Sequence, residues 1–365
     1  MTDQLRRKIA ELEGEIMNEN MAMTIDERKE RWERFYDMQQ PASHILLIRF
    51  SENGRERPLP HPDKKQERIE WAWKQYLDQM DRATWLDDDT VPHLNVYTGT
   101  EIFAAAFGCR VHRPDDNMPF ALPFINTASE AAKLKVPDLD TPCLRMLFEI
   151  ADELRARAGS DAVLKMVDIQ SPMDIAALIW EKSAFYIALL EAPEAAQELA
   201  DKVKQLLVAF LDEWFSRYGM AFVAHYPDYY MPRGITLSED EIGAVSEDVF
   251  EASFRDELIE LSERFGGIGI HCCAHARHQW EGLKRISGLR LLNLVQPAER
   301  LIDAYRYFAS VAPQMHNWCG EGDPLSWIEE LPEESRVVLQ VPAESRAQAL
   351  ERSAALRGLL GPRAA

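Results

Sequence analysis

Residues 246–271 read SEDVFEASFRDELIELSERFGGIGIH, and this stretch decides the fold. It predicts a helix capped by Ser246 that runs to the paired glycines, followed by a short apolar strand, IGIH. Segments of these two kinds alternate from about residue 43, with strands such as HILLIRF (44–50) and AVLKMVDI (162–169) between helices. Strands that alternate with helices indicate β–α units and a parallel sheet.

The number of β–α units predicts how that sheet is arranged. There are about eight units and no glycine-rich dinucleotide fingerprint, so the α/β fold is expected to be a closed (β/α)8 TIM barrel rather than an open sheet. Residues 39–365 are predicted to form this one barrel domain, behind an N-terminal helical arm at residues 1–38. Leu5, Ile9, Leu12 and Ile16 form an apolar seam in the arm, which predicts docking onto its own barrel or onto a second subunit of a homodimer.

Composition excludes several classes of partner. Lysine and arginine number 41 and aspartate and glutamate 61, so the formal charge is 41 − 61 = −20, which argues against nucleic acid and anionic membrane surfaces. No apolar run approaches the length of a membrane span. Five cysteines in 365 residues do not resemble a disulfide framework. A reducing cytoplasm is therefore expected, where clustered cysteines act as metal ligands or reactive thiols.

The strand IGIH is followed at once by a dense group of sulfur and imidazole side chains. They are His271, Cys272, Cys273, His275 and His278. In β/α barrels, catalytic groups lie at the carboxyl ends of the strands, and Cys319 in QMHNWCGEGDP follows another strand-like segment at the same rim. His271, Cys273 and Cys319 thus match the three-ligand pattern of catalytic zinc, which leaves a fourth position open.

The same residues have a purely structural interpretation. Buried cysteines pack as small hydrophobic groups, and His271 is equally explained as a hydrogen-bonded core residue. Cys272 is adjacent to Cys273 and should point elsewhere, into packing. His275 and His278 are alternative ligands, although surface positions suit them better.

A second group follows the strand-like AFVAHY in the segment HYPDYYMPRG. Asp228 lies there as a further candidate for a catalytic acid. Around it are Tyr226, Tyr229 and Tyr230, and these rings are expected either to wall a substrate pocket or to pack the barrel rim. His225, just before them, is a weaker candidate for the same pocket.

Residues 231–294 carry a resemblance to a known family. They read MPRGITLSEDEIGAVSEDVFEASFRDELIELSERFGGIGIHCCAHARHQWEGLKRISGLRLLNL. The order of an acidic cluster, a Ser-capped helix, FGG, an H-x-C strand end and GLRLLNL resembles the uroporphyrinogen decarboxylase superfamily. The helix pair beginning DIQSPMDIAALIW and the element TEIFAAAFGCRV are also similar to it, so the resemblance covers roughly residues 85–360.

The resemblance implies one of two branches. True decarboxylases carry an arginine-rich N-terminal motif and need no metal, whereas this chain offers ERKERWERFYDM. The other branch comprises zinc-dependent, corrinoid-linked methyltransferases with H-x-C and a later cysteine, which His271, Cys273 and Cys319 match. Ala274 departs from the glycine that this family often has. Glu239 and Asp240 correspond to its acidic cluster, which implies either that they orient zinc ligands or handle a proton, or that they only stabilise a helix N-terminus.

The expected function is accordingly a zinc-dependent methyl transfer between a small methylated substrate, or a thiol acceptor, and a corrinoid carried by a partner protein. A metal-free porphyrinogen decarboxylase is the principal alternative, and the missing arginine motif disfavours it. A non-catalytic barrel that binds a corrinoid or a tetrapyrrole is the third.

Overall fold

The computed structural model describes residues 23–50, 56–295, 298–315, 328 and 331–360, as a mixed α/β fold. The strands are β1 (Ile45–Arg49), β2 (His93–Asn95), β3 (Arg110–His112), β4 (Phe120–Leu122), β5 (Val163–Lys165), β6 (Phe222–Val223), β7 (Tyr230–Met231), β8 (Ile235–Ser238), β9 (Ile268–Cys272), β10 (Leu289–Leu294) and β11 (Val338–Pro342). The helices are α1 (Ile25–Tyr36), α2 (Lys65–Ala83), α3 (Ile102–Ala106), α4 (Ala128–Lys133), α5 (Pro142–Ala158), α6 (Pro172–Ile179), α7 (Lys182–Glu191), α8 (Pro193–Tyr218), α9 (Glu247–Ser253), α10 (Arg255–Phe265), α11 (Trp280–Lys284), α12 (Ala298–Phe308) and α13 (Arg346–Leu359).

The strands pair mainly in parallel, as the alternation of elements predicts. β8, β9 and β10 form one parallel sheet, β2, β5 and β6 form another, and β1 pairs in parallel with β11. Two pairings are antiparallel, that of β6 with β7 and the β3–β4 hairpin. Helices follow most of the parallel strands, so the strand ends gather the loops on one side.

Single bridges connect these sheets. Gln170 pairs in parallel with Ser238 of β8, and Gln314 pairs in parallel with both Leu292 of β10 and Val337 beside β11. On the other edge of β1, the Asp89 N–H donates to the Leu46 carbonyl at 2.7 Å. Regular pairing over the described ranges is nevertheless divided among separate sheets, so a single closed TIM barrel stays a prediction.

The stretch that predicts one long helix after Ser246 contains two. Ser246 does cap the first, since its Oγ accepts the Val249 N–H at 3.3 Å, but the backbone departs from helical geometry at Phe254 (φ −132°, ψ −26°). Phe254 is fully buried there, and burial of its ring outweighs the helical propensity that would continue one helix through this residue. A second interruption lies at Trp180, which is also buried, between the end of α6 at Ile179 and the start of α7 at Lys182.

Helix α1 lies within the arm predicted for residues 1–38, and one face of it packs into the core. Trp32, Phe35 and Tyr36 are buried, and the Tyr36 hydroxyl donates to the Tyr230 carbonyl at 2.8 Å. The Arg28 guanidinium is 2.9 Å from the Asp88 carboxylate, and both side chains are buried. The seam at Leu5, Ile9, Leu12 and Ile16 lies outside the described residues, and the domain boundary at residue 38 stays a prediction.

Hydrophobic packing between the helices and the strands holds these elements together. Phe103, Phe148, Phe210 and Trp214 form one aromatic group, in which the Phe210 and Trp214 rings stack with centroids 5.6 Å apart. Over the described part of the chain, no helix has both the length and the apolar character needed to cross a membrane.

Candidate active site

Three side chains of different chemistry meet at the carboxyl ends of β8 and β9. One ligand atom each from Asp240, His271 and Cys273 lies within 4.8 Å of the others. Parallel pairing sets this position, because Ser238 at the end of β8 is in register with His271. Asp240 and Cys273 lie two residues beyond this pair in their respective chain segments, so they are brought side by side. Nitrogen, sulfur and oxygen donors in such a group suit a transition-metal ion, zinc above all.

Alternation along β9 separates His271 from Cys272. Side chains of successive strand residues point to opposite faces, so Cys272 packs into the core, fully buried, while Cys273 in the following loop is exposed. Cys272 therefore takes no part in the group, as the sequence predicts. His275 and His278 are not part of it either, and His278 instead lies 2.9 Å from the Val245 carbonyl.

A buried asparagine orients His271. His271 Nδ1 is 2.5 Å from Asn293 Oδ1, and the Asn293 amide nitrogen donates to the Met315 carbonyl, so the oxygen is the acceptor. Nδ1 consequently carries the proton, which leaves Nε2 as the metal-binding atom. Sequence reasoning missed Asn293. Its position in LRLLNL was the available signal, because β10 pairs Asn293 with His271.

A buried aspartate, also missed, holds the loop that carries Asp240. Both oxygens of Asp174 in α6 accept backbone N–H groups, from Asp240 at 2.8 Å and from Glu241 at 2.9 Å. Asp240 Oδ1 in turn accepts the Cys273 N–H at 2.6 Å. Burial raises the pKa of Asp174 to about 8 despite these two bonds. The chain of contacts fixes Asp240 against Cys273.

Glu239, the neighbour predicted to act with Asp240, is not in the group. It follows Ser238 on the opposite face of the strand end and is fully buried. Burial, and next the charge of Asp174, raise its pKa well above the ordinary value. Its carboxyl is therefore buried and is not one of the three ligand groups that meet at the strand ends.

The loop after Cys273 fits tightly against the loop after Asp240. A Cβ on Gly243 would collide with the Cβ of Ala274. Ala274, which departs from the glycine of the resembling family, is therefore accommodated by a glycine across the contact. The two loops touch through backbone on one side and a methyl group on the other.

Tyr226 and His225 connect this group to a cavity. The Tyr226 ring meets the His271 ring edge-on, with centroids 4.9 Å apart. His225 Nε2 lies 3.2 Å from Ser238 Oγ and 3.4 Å from the Asp168 carboxylate. Burial, with a contribution from His271, lowers the pKa of His225 to about 3, so its ring is neutral. Burial and the nearby Glu101 raise the pKa of Asp168 to about 7.

The cavity has a volume of about 650 Å³ and lies at β1, β2, β5 and β6. Among its lining residues are all five that the sequence proposed around HYPDYY: His225, Tyr226, Asp228, Tyr229 and Tyr230. The Tyr229 hydroxyl is 2.8 Å from Thr236 Oγ1, and Gly269 of β9 makes room for it, because a Cβ there would strike the hydroxyl. The rings therefore line a cavity and also pack the strand interior.

Asp228 lies in this cavity and is not part of the group formed by Asp240, His271 and Cys273. Its carboxylate is 2.6 Å from Lys165 Nζ. Burial by itself would raise the pKa of Asp228, but Lys165, His93 and Arg49 outweigh it and lower the pKa to about 2. Asp228 is thus a charged partner of Lys165. Cys319, the remaining predicted ligand, lies outside the described residues.

Comparisons with known proteins agree with this architecture. A sequence model of the family described as uroporphyrinogen decarboxylase (URO-D) matches residues 93–289. Among solved structures, a methyltransferase from Methanosarcina mazei is similar over 90% of this chain and 97% of its own, with a TM-score of 0.61 and 11% identity. At that identity the likeness concerns the fold alone. No curated protein matches in sequence.

Proposed function

The chain belongs to the uroporphyrinogen decarboxylase family, and on that premise we propose that it is a zinc-dependent methyltransferase. It moves a methyl group between a small substrate, either a methylated compound or a thiol acceptor, and a corrinoid bound to a partner protein. The observation that carries the proposal is the meeting of Asp240, His271 and Cys273 at the strand ends. The methyltransferase from Methanosarcina mazei, which has a similar fold, supports it.

The donor set fits zinc. His271 has its Nδ1 engaged by Asn293 and offers Nε2, while Cys273 offers an exposed sulfur. Cys319 is proposed as the third ligand on its order in the chain. Burial, and next Asp240, raise the pKa of the Cys273 thiol to about 12, and a divalent cation beside it favours the thiolate instead. When bound, zinc supplies a Lewis acid that polarises a bond to a substrate heteroatom or lowers the pKa of a thiol.

The protein's own residues supply position and a proton site. Asp240 keeps one carboxylate oxygen on the Cys273 N–H, which holds its side chain beside the position proposed for the substrate heteroatom. Tyr226 closes the side of the site that faces the cavity. Glu239, which is fully buried and lies outside the group of three, stays the other candidate for the proton donor. The corrinoid protein approaches over the strand ends, where Cys273 is exposed.

We also infer that the strands close into one barrel. The bridges at Gln170 and Gln314 and the contact of Asp89 with β1 support it, because they connect sheets whose regular pairing is short. In such a barrel, the group of Asp240, His271 and Cys273 and the cavity would lie at one rim. We propose further that the enzyme is cytoplasmic, has one barrel domain and forms a homodimer through its N-terminal arm.

Methyl transfer is tested by spectroscopy. The purified protein, loaded with one equivalent of zinc, is mixed with a reduced cob(I)alamin carrier and candidate methylated substrates, and the absorption of methyl-cobalt is followed. The reverse direction uses methyl-cobalamin and thiols. Cys273→Ala is expected to lose transfer, whereas Cys272→Ala is expected to retain it. Absence of transfer in both directions contradicts the proposal.

The family match supports a second candidate, a metal-free porphyrinogen decarboxylase. It predicts release of carbon dioxide from a porphyrinogen by protein stripped of metal. Assays of zinc-loaded protein for methyl transfer and of metal-free protein for carbon dioxide release decide between the two, since only methyl transfer depends on Cys273.

A further inference from the structure

The cavity beside Tyr226 carries a charge opposite to that of the whole chain. Four of its described lining residues are cationic, namely Arg49, Arg57, Arg82 and Lys165, and the acidic one is Asp228. The chain has 20 more acidic than basic residues, so chance distribution would favour acids in this lining. A concave surface of one charge sign attracts ligands of the other sign.

Two of these cations are already engaged by the protein. Lys165 pairs with Asp228 at 2.6 Å, and Arg82 donates to the Phe50 carbonyl at 2.5 Å. Arg49 and Arg57 are both exposed at the edge of the cavity, and over the described ranges neither forms an ion pair within 4.0 Å. The charge of Arg49 contributes to the lowered pKa of Asp228, and the Arg57 guanidinium lies 4.7 Å from the centroid of the Tyr97 ring. With four cations and one carboxylate among its described residues, the lining keeps a net positive charge that an anionic ligand would neutralise.

The remaining lining favours an organic ligand over a bare inorganic anion. Trp71, Tyr226 and Tyr230 contribute aromatic faces to the cavity. His225 adds a second polar feature, since it is nine-tenths buried and its Nδ1 has no hydrogen-bond partner among the described residues. A volume of about 650 Å³ lies within the range of small-molecule sites, roughly 300–1,000 Å³.

We propose that this cavity binds a small aromatic anion, a carboxylate or a sulfonate, through Arg49 and Arg57. The inference rests on the proposed function in one respect, namely that the bound anion is the anchoring end of the small substrate. Its ring lies among the aromatic residues, and the reacting end points past Tyr226 toward His271. The anion site itself requires no metal.

Equilibrium binding tests the inference without methyl transfer. The full-length protein is titrated with benzoate, benzenesulfonate and the uncharged benzamide, and binding is followed by the fluorescence of its tryptophans and by calorimetry. Benzoate is expected to bind at least tenfold more tightly than benzamide, and its advantage is expected to shrink with rising salt. Comparison of the affinities for benzoate and benzenesulfonate shows whether the site prefers a carboxylate or a sulfonate.

Variants locate the site. Arg49→Gln and Arg57→Gln are each expected to weaken benzoate binding about tenfold or more, with little change for benzamide, because each removes a charge-assisted hydrogen bond. Arg145→Gln is the matched control, since Arg145 is half-exposed on α5 and pairs with Asp140 outside the cavity. Circular dichroism confirms that each variant is folded.

The outcomes separate this inference from the proposed function. Equal affinity of the wild-type protein for benzoate and benzamide overturns the anion site, as does a lack of binding by all three probes, whatever the methyl-transfer assay gives. Tighter benzoate binding that depends on Arg49 and Arg57 supports the anion site, even if no methyl transfer is found.

Discussion

The metal side of the strand ends, formed by β8 and β9, contrasts with the cavity side, formed by β1, β2, β5 and β6. The metal side assembles Asp240, His271 and Cys273 from two adjacent strands that lie close in sequence. The cavity side assembles Arg49, Lys165 and Asp228 from three distant parts of the chain. A local cluster of unusual residues is visible in a sequence, whereas a site made of common residues from remote positions becomes visible only after folding.

The two sides also differ in electrostatic character. Carboxyl groups gather on the metal side, where burial raises the pKa of Asp174 to about 8 and the pKa of Glu239 well above its ordinary value. On the cavity side, cations depress the pKa of Asp228 to about 2. A cation bound among these carboxyl groups would favour their ionised forms, whereas positive surroundings favour a bound anion. The contrast is what an enzyme needs if it holds a metal and a charged substrate next to each other.

Removal of Cys273 is expected to have the largest effect, and it falls on the metal side alone. Cys273→Ala should lower zinc affinity by orders of magnitude, because a thiolate ligand is lost, whereas Cys272→Ala should retain zinc. Chelator competition on anaerobically purified protein measures both. Benzoate binding should be unchanged in each variant. A parallel loss of zinc and benzoate binding would show that the two sides are not separate sites.

The same measurement applied to Cys319→Ala tests the ligand that lies outside the described residues. Large zinc loss is expected there as well. Full retention of zinc would leave Asp240 as the third ligand.

Asp174→Ala is expected to lower zinc affinity about 10- to 100-fold, since residues that orient metal ligands usually contribute that much. Both N–H groups of the Asp240 loop lose their acceptor in this variant. Asp174→Asn keeps one acceptor oxygen, so its zinc affinity should lie between that of the wild-type protein and that of Asp174→Ala. Co²⁺ substituted for zinc provides an absorption band that reports ligand geometry.

Ser171→Ala is the control for Asp174→Ala. It removes the cap of the same helix, where Ser171 Oγ accepts the Asp174 N–H at 2.9 Å, and should cost about 1 kcal/mol of folding free energy while zinc affinity stays unchanged. If both variants lose zinc equally, Asp174 acts through general stability rather than through the loop.

A smaller effect is expected where the two loops touch. Gly243→Ala should destabilise the fold by about 1–3 kcal/mol, because its new methyl group collides with that of Ala274. Adding Ala274→Gly should recover most of the loss. Urea unfolding of both single variants and the double variant gives the coupling energy. Additive effects would mean that the loops are farther apart in solution.

The smallest effect is on the cavity side and depends on pH. A carboxyl whose pKa is depressed on folding stabilises the fold above its usual pKa, about 3.9, and this stabilisation is lost as the pH falls toward the folded value, about 2 for Asp228. The contribution is about 1 kcal/mol once the 42% exposure of the Asp228 side chain is allowed for.

Lys165→Met isolates that contribution. The difference in unfolding free energy between the wild-type protein and this variant should narrow as the pH falls from about 5 to about 2.5. A constant difference across this range would mean that the Lys165–Asp228 pair does not set the pKa of Asp228.

Much of the fold and part of the site follow from sequence patterns. The strand in HILLIRF, the helix cap at Ser246 and the parallel pairing of strands are confirmed. So is the placement of His271 at the end of its strand. These features depend on local spacing, and local spacing is what a sequence records directly.

The rest depends on long-range register and packing. Asn293 meets His271 only because β9 and β10 pair at that register, and Asp174 meets Asp240 across 66 residues. Glu239 and Asp240 look alike in sequence, yet strand alternation buries one outside the group of three and brings the other into it. The break at Phe254 arises because a buried ring overrides helical propensity.

The pairing of β1 with β11 has a consequence for biosynthesis. Ile45 is in register with Val338, so β1 leaves the ribosome 293 residues before the strand that covers it. At translation rates of about 5–20 residues per second, its edge waits about 15–60 s for that neighbour. An apolar strand edge left open this long is a site for wrong association. Asp89 is synthesised early, and its contact with Leu46 occupies the opposite edge of β1 in the meantime. The nascent chain therefore has one open edge of β1 to protect. Chaperone dependence should end only when residue 342 has emerged.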